Sequence, residues 1–184
     1  MPGKTTCFLL TMILCQTFGT SVGQAEDSRW GAVGIRGGMD LTDSHKSSRD
    51  HFEGYELFAN YLLPLEWRGS SGLGLGTRLD TSVGALRKDG ASAIKAAFGP
   101  SVTLGMFSDR VELEIGAAAA YLSKHEFPER NLGGPFQFVL HAGVGFLALG
   151  DLGIGYRFEH ISNAFIYPHN PGVNLHVLEF NYRL

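Results

Sequence analysis

The sequence predicts an all-β fold, an eight-stranded antiparallel transmembrane β-barrel of the bacterial outer membrane. Three observations support this prediction. Apolar and polar residues alternate in segment after segment, one face of these segments is rich in glycine and charge, and long connections alternate with short ones. A period of two is typical of strands. After residue 28 no segment approaches about 18 consecutive apolar residues, so no transmembrane helix is predicted.

The start of the chain is predicted to be an export signal. A basic residue near the N-terminus precedes a largely apolar run, and Gly23 and Ala25 place small residues at the two positions that a signal peptidase reads. Both cysteines fall in the first 15 residues, so the mature protein would have no disulfide and no reactive thiol. We therefore expect a removed signal peptide over 1–25 and a single barrel domain over 26–184.

The predicted strands follow one another at short intervals, and the first shows the least regular alternation. They lie near 30–41, 55–63, 73–83, 94–106, 111–121, 136–146, 154–162 and 178–184. In each of the last seven, one face is mainly apolar. The opposite face carries, in chain order, Glu56, Arg78, Asp80, Lys95, Glu112, Glu114, Arg157, Glu159, Glu179 and Arg183.

The composition of the polar face favours a barrel in lipid over a soluble sandwich, which would show the same alternation. Glycine and charges of both signs fit the interior of a narrow closed barrel, where small residues make room and opposite charges pair. Closure is also required in lipid, because an unpaired strand edge is not tolerated there. A net charge of −3 gives no basic excess for nucleic acid, and no cofactor is expected.

The lengths of the connections predict which end faces outward. The segments near 42–51, 123–134 and 161–173 are long, whereas those near 107–110 and 149–151 are tight. Outer-membrane barrels have long extracellular loops and short periplasmic turns. The long connections are therefore expected outside the cell, with the short turn after the third strand as an exception.

The end of the seventh strand carries a histidine and a serine on the face that the apolar stripe predicts to be lipid-facing. His160 and Ser162 share the parity of Tyr156 and Phe158. Histidine can take the proton of a serine near neutral pH and make it a nucleophile. The two Cβ atoms would lie about 7 Å apart in an ideal strand, so a bend or a rotamer must bring the side chains together. Asn163 follows directly, with an amide that could stabilise an oxyanion.

The segment from His160 to Ala164, followed by Asn170-Pro171-Gly172 and an alternating final strand, resembles the outer-membrane lipid A 3-O-deacylase family of the PagL type. The similarity is specific over about 154–184 and architectural elsewhere. It implies a serine esterase that removes the acyl chain at the 3-position of lipid A in the outer leaflet.

The resemblance also implies roles for individual residues. His160 matches the general base, Ser162 the nucleophile and Asn163 the oxyanion-stabilising residue. Two positions depart from the family pattern. Asn174 stands where a glutamate orients the histidine, and an amide oxygen can do this without adding charge. Phe165 stands where glycine is common, and a phenylalanine disfavours positive φ.

Alternatives remain at this point. The chain could be a structural or adhesive barrel without catalysis, including an inactive deacylase relative, and a homodimer is possible. A metal site from His160, His169 and His176 is not expected, because their spacings match no standard ligand pattern. His141 falls on the interior face and is expected to be a hydrogen-bonded structural residue.

Overall fold

Eight long antiparallel strands dominate the computed structural model, which describes residues 29–41, 51–70 and 72–184. The signal peptide predicted over 1–25 lies outside the described residues, so its boundary stays a prediction. The strands are β1 (Trp30–Met39), β2 (Glu53–Leu62), β3 (Gly74–Lys88), β4 (Ala91–Met106), β5 (Val111–Leu122), β6 (Phe136–Leu149), β7 (Leu152–Ser162) and β8 (Val173–Arg183). Two-residue strands occur at Trp67–Arg68, Glu126–Phe127 and Arg130–Asn131.

The sheet closes on itself. Each strand pairs with its sequence neighbours, and β1 pairs with both β2 and β8, so that Ile35 lies opposite Leu57 on one side and Phe180 on the other. Closure satisfies the backbone hydrogen bonds that an open sheet would leave unpaired in lipid. None of the described segments is a helix long and apolar enough to span a membrane. The predicted eight-stranded barrel is confirmed.

The two faces of the barrel have the predicted polarity. On the exterior, Leu57 is 61% exposed, and Tyr156 and Leu178 are exposed as well. On the interior, Arg157 is only 2% exposed, and Glu159 is equally buried. A polar interior and an apolar exterior are the reverse of a soluble protein and match a barrel in a membrane.

The middle of the barrel is filled by ion pairs. Arg36 lies 2.8 Å from Glu56 and 3.5 Å from Glu179, and Lys95 lies 3.0 Å from Glu159. Further pairs join Arg78 and Arg157 to Asp80, Glu112 and Glu114, and Arg157 also pairs with Glu179. Eight strands leave room only for side chains. The interior is therefore a packed structural network rather than a channel.

The end of the barrel that carries the long connections is closed by apolar side chains. Phe127 and Leu132 belong to the connection 123–135, and both are buried in a cluster with interior residues of the strands, Leu86, Leu122, Ile161, Val173 and Leu175. The ring of Phe127 meets that of Phe52 edge to face at 5.1 Å. This packing fixes the 123–135 loop over the mouth of the barrel.

Candidate active site

The candidate site is built where β7 ends and β8 begins, at the end of the barrel with the long loops. The register of these strands places His160 directly opposite Asn174. Both side chains, and that of Ser162, are half-buried on the outward face of the barrel. The outward parity predicted for His160 and Ser162 is present, and the register adds Asn174 to the same patch of the exterior.

Asn174 holds the imidazole of His160 through a hydrogen bond. The Nδ1 atom of His160 lies 2.7 Å from Oδ1 of Asn174. An amide oxygen only accepts hydrogen bonds, so Nδ1 carries the hydrogen and donates it. The other ring nitrogen, Nε2, then has a free lone pair and can accept a proton. The contact expected between these two residues is present.

Other side chains near His160 have different partners. The Oη atom of Tyr156 and Nδ1 of His176 are joined by a hydrogen bond of 2.6 Å. The hydroxyl of Tyr167 accepts a hydrogen bond from the backbone N–H of Phe136 at 3.4 Å. Among the described residues, the side chain that forms a hydrogen bond with the His160 ring is therefore Asn174.

Gly172 packs directly against the imidazole. Its φ of +64° lies in the left-handed region, and a Cβ added there would lie 3.1 Å from Cε1 of His160. Glycine is needed for both reasons.

Among the described residues, no hydrogen bond joins Nε2 of His160 to Oγ of Ser162. Such bonds often tighten only when the substrate binds.

The chain turns sharply after Ser162. Ala164 and Phe165 have φ values of +49° and +63°, and the N–H of Ile166 donates to the carbonyl of Asn163 at 3.0 Å. This is the geometry of a type I′ turn, which favours asparagine and glycine at its central positions. Phe165 adopts the positive φ that its side chain disfavours, and it is 81% exposed. The turn is strained beside the candidate nucleophile.

Asn163 is fully buried and organises this loop. Its Nδ2 donates to the carbonyls of Leu132 at 2.9 Å and His169 at 2.6 Å, and its backbone N–H donates to Oδ1 of Asn170 at 2.9 Å. Every N–H group of Asn163 therefore has a partner within the protein. The oxyanion role of its side chain stays a prediction, and it would require these bonds to break.

Asn170 was not singled out from the sequence as a functional residue. Its Oδ1 is held by Asn163, the residue after Ser162, while its Nδ2 has no hydrogen-bond partner among the described residues. A second amide donor therefore lies in the loop that follows the candidate nucleophile. The Asn170-Pro171-Gly172 motif was the signal that could have identified it.

A second cluster of possible ligand residues lies in the barrel interior. Asp80, Glu114 and His141 place possible ligand atoms within 4.8 Å of one another. Both carboxylates already pair with arginines, Arg78 with each of them and Arg157 with Glu114, so the cluster is part of the ion-pair network. A cavity of about 270 Å³ opens at the opposite end of the barrel, away from His160.

Comparisons with known proteins identify a family, a relative and a solved structure that are similar to this chain. The model of the family "Lipid A 3-O-deacylase (PagL)" matches residues 53–183. The lipid A deacylase PagL of Bordetella bronchiseptica (strain RB50) is 33% identical over 156 residues, covering 80% of this chain and 84% of that protein. The crystal structure of the outer-membrane enzyme PagL superimposes with a TM-score of 0.67 at 21% identity, over 83% of this chain and 99% of that one.

The family match extends well beyond the segment on which the resemblance was first based. It begins at β2 and ends in β8, so it includes the whole candidate site and most of the barrel. The structural match independently supports the barrel fold. Nothing in these comparisons supports the possible homodimer, which stays a prediction. The chain belongs to the lipid A 3-O-deacylase (PagL) family.

Proposed function

We propose that this protein is an ester hydrolase of the bacterial outer membrane that removes the acyl chain esterified at the 3-position of lipid A, with Ser162 as nucleophile and His160 as general base. One observation carries the proposal beyond family membership. Nδ1 of His160 is held by Asn174 at 2.7 Å, Nε2 has no hydrogen-bond partner among the described residues, and Ser162 lies on the same outward face. A base with a fixed tautomer beside a serine is the arrangement that activates a hydroxyl.

The proposed reaction has two stages. Oγ of Ser162 attacks the ester carbonyl carbon while Nε2 of His160 takes the hydroxyl proton. The C–O bond to the sugar then breaks, and the sugar oxygen takes the proton from Nε2. Water next attacks the acyl-serine and gives a proton to Nε2, which returns it to Oγ as the free fatty acid leaves. Histidine acts first as base and then as acid in each stage.

The position of the site suits a lipid substrate. Below His160, the exterior stripe continues through Phe158 and Tyr156 toward the other end of the barrel. Acyl chains of a lipid in the outer leaflet would lie along this apolar surface, and the ester would meet Ser162 at the level of the rim. The lipopolysaccharide of the outer leaflet is thus the partner that the geometry fits.

The oxyanion of the tetrahedral intermediate needs a hydrogen-bond donor. Asn163 was predicted for this role, but its N–H groups donate to Leu132, His169 and Asn170. We assign the role to Nδ2 of Asn170, whose orientation is set by the bond that its Oδ1 accepts from Asn163. Removing a donor of this kind typically lowers kcat about 10²–10³-fold.

Mass spectrometry of lipid A tests the proposal. Cells that produce the protein should contain lipid A lacking one acyl chain, and cells with Ser162→Ala should contain the unmodified form. Ser92→Ala is a matched control, because Ser92 is exposed on the same outward face at the same end of the barrel, on β4. Heat-modifiable gel mobility checks that each variant is folded. Deacylation by a folded Ser162→Ala variant would rule out the serine mechanism.

The main alternative was a barrel without catalytic activity, and it rested on two departures from the family pattern, Asn174 in place of glutamate and Phe165 in place of glycine. Since Asn174 makes the orienting hydrogen bond with His160, the first departure no longer favours the inactive barrel. The same lipid A measurement separates the two functions, because an inactive barrel would leave lipid A unchanged in every variant.

A further inference from the structure

Arg130 links the 123–135 loop to the loop that carries the candidate site. Its Nη2 group donates to the carbonyl of Pro171 at 3.3 Å and to that of Gly172 at 3.1 Å. These partners lie 41 and 42 residues away in the sequence. One nitrogen placed between two adjacent carbonyls restrains the backbone between them.

The restrained backbone is the part of the loop that packs on His160. Gly172 has a φ of +64°, and an added Cβ there would be 3.1 Å from Cε1 of the imidazole. Asn174 fixes the ring through Nδ1, while Gly172 sets the space beside Cε1 and Nε2. A movement of the backbone at Gly172 would therefore change the position of Nε2, the atom that accepts the proton.

The same loop also contacts the segment that follows Ser162. The carbonyl of Leu132 accepts a hydrogen bond from Nδ2 of Asn163 at 2.9 Å. Tyr167 packs against Gly134 and its hydroxyl accepts a bond from Phe136. The 123–135 loop thus holds both the histidine side and the serine side of the site.

The 123–135 loop has the rigidity that such a role needs. The side chains of Phe127 and Leu132 are 6% and 2% exposed in the apolar cluster at the barrel mouth. Within the loop, the N–H of Leu132 donates to the carbonyl of His125 at 2.8 Å. Arg130 lies between the two buried anchors, so its backbone is fixed relative to β7 and β8.

We propose that Arg130 is a positioning residue that acts through Gly172 to hold Nε2 of His160 in line with Ser162. The kinetic part of this inference rests on the function proposed above. Arg130 is also exposed, so the rival explanation is that its guanidinium binds an anionic lipid headgroup. The two explanations differ in the kinetic constant that they affect.

Kinetics on two substrates separate the positioning role of Arg130 from binding of a lipid headgroup. Arg130→Ala should lower kcat up to about 10²-fold, the loss that a misplacement of about 1 Å causes, on both phosphorylated and dephosphorylated lipid A. Arg130→Lys should recover part of the loss, because an ammonium group can still donate to a carbonyl. Lys124→Ala is the matched control, an exposed cation of the same loop, and should leave kcat unchanged. A rise in KM confined to phosphorylated lipid A would overturn the proposal in favour of headgroup binding.

A measurement without substrate keeps the inference separate from the proposed function. The imidazole resonances of His160, assigned by their loss in His160→Gln, should shift in Arg130→Ala and stay in place in Lys124→Ala. Unchanged resonances in a folded Arg130→Ala variant would overturn the proposal. If the resonances shift in Arg130→Ala but the parent protein does not deacylate lipid A, the positioning role is upheld and the esterase assignment is rejected.

Discussion

Replacing Asn174 by alanine tests how the site works without a carboxylate. The variant removes the hydrogen bond of 2.7 Å between Oδ1 and Nδ1 of His160. A neutral hydrogen bond contributes about 0.5–1.5 kcal/mol, which alone corresponds to a rate loss of about 2- to 13-fold. Without an acceptor, however, the ring can also rotate and change its tautomer. We therefore expect a loss of about 10²–10⁴-fold, the range for a positioned acid–base group.

Asn174→Asp is the informative companion, because aspartate has the shape of asparagine. A carboxylate at the same 2.7 Å would form a charge-assisted bond, about twice as strong as a neutral one. The rate should be kept or raised. Since a carboxylate favours the imidazolium form, activity should be lost at a higher pH on the acid side of the profile.

Initial rates of fatty acid release from lipid A in detergent, measured across pH for the parent and both variants, provide the assay. Heat-modifiable mobility confirms that the barrel is folded. A parent-like rate and pH profile in Asn174→Ala would refute the reasoning, and the orientation of His160 would then have to come from another group. The assignments of His160 and Ser162 would not change.

Three further predictions follow from the loops. Gly172→Ala should lower kcat at least about tenfold, because the new Cβ would press on His160 in a left-handed backbone; parent-like rates would show that this contact is unimportant. Phe165→Gly should raise the free energy of unfolding, measured in urea, by up to about 1 kcal/mol, since glycine removes the cost of a positive φ. A destabilised variant would mean that the exposed ring packs in the membrane. In intact cells, a thiol reagent should label His169→Cys but not Ser108→Cys, because the two lie at opposite ends of the barrel; the reverse pattern would invert the topology.

Much of the barrel could be predicted because the strand signal is local. Side chains at i and i+2 share a face whatever the rest of the chain does, so the stripes that contain Leu57, Leu113 and Leu178 could be predicted, and so could the outward parity of His160 and Ser162. The length asymmetry of the connections is local in the same way. These features need no knowledge of which strands pair.

The 123–135 loop is where prediction from the sequence stopped. It has no periodicity, and its long polar stretches indicate only a loop. The burial of Phe127 and Leu132 in the barrel mouth, and the reach of Arg130 to Gly172, depend on contacts across the closed barrel.

The sequence by itself determined the barrel class, the exterior stripe and the residue types that face the lipid, because each depends on spacing of a few residues. Only the tertiary structure decided the contacts between strands and loops. Register places Asn174 opposite His160, and the closed sheet brings Leu132 to Asn163 across 31 residues of sequence. The sequence predicted that Asn163 stabilises the oxyanion, but its N–H groups donate to Leu132, His169 and Asn170 within the loops. The physical reason is that a buried amide must satisfy its hydrogen bonds, and the partners that satisfy them become neighbours only when the barrel closes.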